Sequence, residues 1–283
     1  MKEFWASMSG AWRRLRKDRA AMAGLVIVAL LVIAALASLF IAPYRLVIAQ
    51  DLRHALEPPS EQHWFGTDYV GRDVFLRILY GSRISLTVGI VVAGIGMTIG
   101  LVLGTTTGYL GGWWDAIVMR LTDIMLAFPF LLLAIAITAV LGPSLLNTIL
   151  ALGFASFPAY TRLVRGSVLT LREENYIEAA RVSGASTARI MFRHLIPNLI
   201  GTLIVYGTLR ISTAILAEAG LSYLGLGAQL PTPTWGNMLS DGRNYLLFYE
   251  WLPLFPGLAI LITVAGFNLL GDGLRDAFDP KSR

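Results

Sequence analysis

Long apolar runs alternate with short polar stretches along this chain. Residues 21–42 carry no charge, and about 20 apolar residues span a bilayer core as a helix. Residues 84–107 form a second uncharged run that includes Gly96, Gly100 and Gly104. These glycines are small-xxx-small steps, which let helices approach closely. Residues 124–161 are uncharged and too long for one span. Gly142-Pro143 divides that run into a third and a fourth span. Residues 199–219 predict a fifth span and 251–271 a sixth. The first run is too long for a signal-peptide core and is expected to remain as an uncleaved span.

The stretches between have their own patterns. Residues 43–83 are polar, and 67–80 turn amphipathic, with Val70, Val74 and Ile78 on one face and Asp73 four residues before Arg77. That predicts a helix lying at the membrane surface. Residues 220–250 read as an irregular loop rich in Gly and Pro. The expected order is a polar arm over 1–20, a first span over 21–42, an outer segment over 43–83, a core over 84–271 and a tail over 272–283. The fold class is all-α polytopic membrane protein with six spans.

One polar island, residues 172–198, interrupts the core between the fourth and fifth spans. Its first half has good helix formers, with Glu173 and Glu174 near the positive end of a helix dipole. Gly184 is placed to end that helix in a left-handed turn. Ser186 caps a second short helix through Leu195, and Pro197 stops it. Helices this short are not stable alone in water and need a surface to press against.

Composition narrows the class. Hydrophobic residues make up 55% of the chain and charged residues 14%, which argues against a soluble globule. There is no Cys, hence no disulfide, thiolate metal site or catalytic thiol. His54, His63 and His194 lack metal-motif spacing. The net charge of +5 is spread between apolar runs, so it reads as a topology signal and not as a nucleic-acid surface. With both termini inside, the cytoplasmic segments hold sixteen Lys and Arg and the outer ones six. The bias favours cytoplasmic termini and a cytoplasmic 172–198 loop.

Catalytic signatures are missing. A phosphate-cradling loop ends in Gly-Lys-Ser/Thr, and the only lysines here are Lys2, Lys17 and Lys281, none in that setting. Gly184-Ala185-Ser186 holds a Gly-x-Ser fragment but sits in the polar loop without a base. In the fifth span, Arg210 and Glu218 are the candidates for a transport pathway. Arg210 lies about 11 residues in, roughly 16 Å deep at 1.5 Å per residue. It either faces a water-filled path, or is a structural Arg that bonds to carbonyls or snorkels to the interface. Glu218, near the span end, also suits plain interfacial placement.

Glu178-Ala179-Ala180, Gly184, Ala185, Ile190, His194, Pro197 and Asn198 resemble the cytoplasmic coupling loop of ABC importer permeases. Residues 64–75, 217–229, 231–239 and 271–280 are similar to the C-type permeases that import dipeptides, oligopeptides, glutathione or nickel. The resemblance covers most of the chain from residue 64 to 280. It implies a permease subunit in a bacterial inner membrane that moves short peptides by alternating access, with nickel chelates and glutathione as alternatives. It also implies a second permease, two subunits that bind ATP and Mg, and an extracytoplasmic solute-binding protein. Glu178, Ala179, Ala180, Gly184 and Ala185 would then form the surface that docks on the ATPase, Pro197 and Asn198 would fix its connection to the fifth span, and Ile190 and His194 would belong to the same coupling loop. An independent carrier or channel is the rival class.

Overall fold

In the computed structural model, residues 10 and 12–278 are described. The expectations for Lys2, Pro280, Lys281 and Arg283 lie outside them. Nearly all of the described chain is helical. In chain order the main helices are α1 (Arg19–Ile41), α2 (Val74–Leu110), α3 (Gly112–Ala127), α4 (Phe130–Leu141), α5 (Leu145–Leu171) and α6 (Asn175–Val182). They continue with α7 (Thr187–Ile190), α8 (Ile196–Tyr223), α9 (Trp235–Arg243) and α10 (Trp251–Phe278).

Among the described residues four helical stretches are long and apolar enough to cross a membrane: α1, α2, Thr187–Tyr223 and α10. The pair α3 and α4 makes a fifth if it counts as one bent span. The six-span expectation therefore becomes four to five apolar spans plus α5. That helix is long enough at 27 residues, but Asn147, Ser156 and Arg162 dilute its apolarity. Protein surrounds much of it, and Thr148, Tyr160 and Thr161 are buried.

The strongest packing seam runs between α2 and α5, which lie side by side and parallel. Small residues on α2 set the spacing. A Cβ on Gly100 would stand 2.3 Å from the Tyr160 Cβ, and one on Gly104 would stand 2.6 Å from the Val164 Cβ. The helix backbones are thus in direct contact, as the glycine spacing predicts. Below them, Gly24 of α1 meets the Gly266 carbonyl of α10, and Gly271 of α10 meets Leu209 of α8.

The contacts define two ends. Arg14 donates to the Ala277 carbonyl at 3.2 Å, and Arg172 donates to the Gly108 carbonyl at 3.1 Å. Gly201 in the first turns of α8 faces Phe278. The two ends of the described chain and the 172–198 loop therefore share one end of the bundle. The opposite end is a cap built from residues 43–73 and 224–250. Trp235 donates to the Ile78 carbonyl at 3.0 Å, and Trp251 to the Thr67 carbonyl at 3.3 Å. Phe65 stacks on Phe255 and Tyr69 on Tyr245.

The cap holds buried charge. Arg72 reaches Asp68 at 2.6 Å and lies 4.0 Å from Asp241; the Arg77 Nε is 3.7 Å from Asp68. Arg72 and Arg77 are 3% and 1% exposed. Both outer nitrogens of Arg77 lack a partner.

Several sequence expectations change here. The surface helix over 67–80 is not formed. Asp73 instead caps α2 by accepting from the Leu76 N–H at 2.9 Å and pairs with His63 at 2.8 Å. The helix starts at Val74 and runs unbroken for 37 residues, so Arg77 turns to Asp68 and not to Asp73. The third span does not begin at Ile124. Helix α3 starts at Gly112, and the chain then bends by 95° before α4. Pro129 causes the break, because it disfavours helical backbone at the preceding residue, and Phe128 is extended. The loop over 220–250 contains α9, held by a reciprocal box between Thr234 and Asn237. Finally, Pro197 does not end a helix. A π-turn over Met191–Leu195 carries the chain straight into α8. A proline in a first turn is tolerated, and the wider turn absorbs the lost hydrogen bond.

Candidate coupling loop and transport pathway

The 172–198 loop is built from the two short helices that its sequence predicts, with α6 starting two residues later than expected. Gly184 has φ +80°. Ala185 N–H donates to the Ala180 carbonyl and Gly184 N–H to the Arg181 carbonyl, both at 3.0 Å. This is a Schellman close, which glycine adopts without steric cost. Ser186 Oγ accepts from the Arg189 N–H at 3.4 Å and starts α7.

The surface these helices need comes from the same chain. Ile177, Ile190 and Leu195 are fully buried against Val164 and Val168 of α5 and Leu199 and Leu203 of α8. Burying each such side chain contributes about 1.5–3 kcal/mol. Ala180 and Ala185 are half-buried against this cluster. Ile190 is therefore part of the seat and does not belong to an outer docking surface.

The outward face is Glu178, Ala179, Val182, Ser183 and Gly184, all exposed. Val182 is 83% exposed, and Phe192 nearby in sequence is 71% exposed. A Cβ on Gly184 would meet nothing, so the small corner faces open space. Pro197 and Asn198 are exposed at the start of α8. Asn198 donates to the His194 carbonyl at 2.6 Å and to the Tyr176 hydroxyl at 3.4 Å. It thereby ties α6 to α8 across the loop, with the His194 ring facing Tyr176. Val182 and Phe192 were not singled out in the sequence. The signal was present as apolar residues in a polar stretch.

Charged side chains tie α5 to α3. Arg165 of α5 grips Asp115 of α3 through two nitrogens, one at 2.7 Å. Arg162 pairs with Asp123.

The two pathway candidates are not brought together. Glu218 is fully buried, not interfacial. One oxygen accepts from the Ser222 hydroxyl at 2.6 Å, and the other has no partner. Arg210 lies two turns earlier on α8 and opens into a different place, a small cavity shared with Ser156, Tyr160 and Phe130. Its guanidinium donates to the Tyr206 hydroxyl and stands 4.8 Å from that ring. Among the described residues it makes no hydrogen bond to a helix carbonyl.

Residues 73–283 match the model of the "binding-protein-dependent transport system inner membrane component" family. Residues 7–59 match the "N-terminal TM domain of oligopeptide transport permease C". The chain is 48% identical over 270 residues to a glutathione transport system permease protein of Escherichia coli O6:K15:H31, covering 95% of this chain and 89% of that one. The counterpart in Shigella boydii serotype 4 shows the same values. Among solved structures, the inward-facing MetNI methionine ABC transporter aligns with TM-score 0.55 at 21% identity, over 71% of this chain and 96% of that one. That likeness concerns the fold.

Proposed function

The chain belongs to the binding-protein-dependent transport system inner membrane component family, and on that premise we propose that it passes glutathione or a similar short peptide across the membrane. It is the permease subunit of an ABC importer of the peptide and nickel group. Its partners in this reading are a second permease, two ATPase subunits that bind ATP and Mg, and an outer solute-binding protein. The 172–198 end lies in the cytoplasm and the aromatic cap outside.

The observation that carries the coupling role is the split character of the loop. Its inner face is cemented to α5 and α8, whereas its outer face offers Val182, Phe192 and a glycine corner to open space. An exposed apolar patch on a well-seated element suits a protein partner. ATP binding draws the two ATPases together and carries the loops with them. Because the loop is continuous with α8 and seated on α5, that movement reorients the pathway. Hydrolysis resets it.

Accumulation against a gradient needs a free-energy source, which the partners supply here. Vesicles holding this subunit alone should take up no glutathione, with or without a proton gradient. Adding the second permease and ATPases should give ATP-dependent uptake, stimulated by the binding protein. Gradient-driven uptake by the lone chain would overturn the reading in favour of a carrier.

A further inference from the structure

The cavity beside Arg210 has a chemistry that the coupling role does not use. Among the described residues no carboxylate pairs with Arg210, and Tyr206 engages only one of the guanidinium's five donors. A charge held within a span is costly unless something meets it. Next to it, Tyr160 lines the same cavity, and its hydroxyl is buried without a hydrogen-bond partner. The Tyr160 and Tyr206 rings meet edge-on at 4.9 Å, which fixes both phenols. The fourth feature comes from the 95° bend. Phe130, the first residue of α4, lines the cavity, and that helix has no side-chain cap at its N-terminus. Its unpaired N–H groups form the positive end of a 12-residue helix. The remaining walls are Val92, Ala93 and Ala214, with the hydroxyl residues Ser156 and Thr213 beside them.

Arg210, Tyr160 and the first residue of an uncapped helix thus line one space, and among the described residues no carboxylate lines it. We propose that this is a transient subsite for a carboxylate of the transported peptide, held by Arg210 and Tyr160 beneath the start of α4. The proposal rests on the peptide-importer reading above. Arg supplies the paired donors that match a carboxylate's two oxygens, and the Tyr160 hydroxyl gains the acceptor it lacks. Broken helices in transporters present their N-terminal ends to anionic groups in the same way.

The test uses the complete reconstituted importer with saturating binding protein. Uptake of glutathione is compared with uptake of its two monoamides, each lacking one carboxylate, in wild type and in Arg210→Gln. The binding protein is common to both arms, so its own preference cancels in the ratio. Wild type should prefer glutathione over one monoamide, and Arg210→Gln should reduce that preference about tenfold, the loss of one charge-assisted contact. An equal slowing of all three substrates would overturn the subsite and make Arg210 structural. Tyr160→Phe removes only the hydroxyl and should reduce the same preference about threefold. An unaltered preference in that variant would count against the site even where Arg210→Gln fails to assemble. If the wild-type complex imports none of the three, the peptide reading itself fails and the subsite falls with it.

Discussion

The two ends of this bundle solve opposite problems. The cap end turns its polar groups inward. Asp68, Arg72 and Arg77 are buried, Trp235 is 1% exposed, and aromatic pairs stack across the segments. The loop end turns apolar groups outward. Val182 and Phe192 stand in the open, while Ile177, Ile190 and Leu195, with half-buried Ala180 and Ala185, anchor the element. The cap also leaves Leu247 and Phe248 in the open, 88% and 81% exposed, so apolar exposure alone does not separate the two ends. What separates them is the buried charge of the cap and the open glycine corner of the loop. The difference teaches that order and completeness are separate properties: the loop is well seated and still incomplete.

That contrast breaks most sharply at Asp68. It faces both buried guanidiniums. Asp68→Asn should leave them underpaired and cost about 3–5 kcal/mol, the range for breaking a buried ion pair. Thermal denaturation of the solubilised complex checks this. An unchanged midpoint would mean that the cap does not depend on its internal charges.

Gly184→Val probes the other end with a smaller effect on stability. Its φ of +80° strains a β-branched residue by about 1–3 kcal/mol. The added side chain meets nothing within this chain but enters the open corner. ATPase association or ATP-dependent uptake should fall at least about tenfold, while membrane insertion and cap stability persist. Normal uptake would sink the docking assignment.

The smallest effect concerns pH. Burial holds the Asp241 carboxyl above its ordinary value, outweighing the opposing pull of Arg77 and Arg72. The folded cap therefore keeps that proton longer than the unfolded chain does. Its contribution to stability falls as pH rises from about 4 through the raised pKa. Asp241→Asn should flatten that part of the stability profile. A profile identical to wild type would show that Asp241 is not desolvated.

The sequence made some of this legible and concealed the rest for definable reasons. Gly184 and Ser186 act locally, through backbone conformation and a cap three residues on, so their roles are readable from neighbours alone. The glycine spacing of α2 is periodic, so its tight seam was readable too. The burial of Ile190 was not readable, because packing on α5 and α8 is a long-range fact. Pro197 was misread because a π-turn can accommodate a proline that would stop an ordinary helix. Helix α9 was hidden because its box uses Asn237 where Glu or Gln is the familiar partner. Arg77 gave no sign of burial, since Asp68 and Asp241 lie on separate segments. The cavity at Arg210 depends on Phe130 and Tyr160, which no local pattern links to it.

The seam between α2 and α5 has a mechanical consequence. Two parallel rods fixed along their length form a girder, stiffer against flexure than either rod by itself. With no space for even a methyl group between them at Gly100 and Gly104, shear along the joint is blocked as well. A shove delivered at the loop end is not dissipated as local bending. It reaches the far side of the bundle as a tilt of the whole girder.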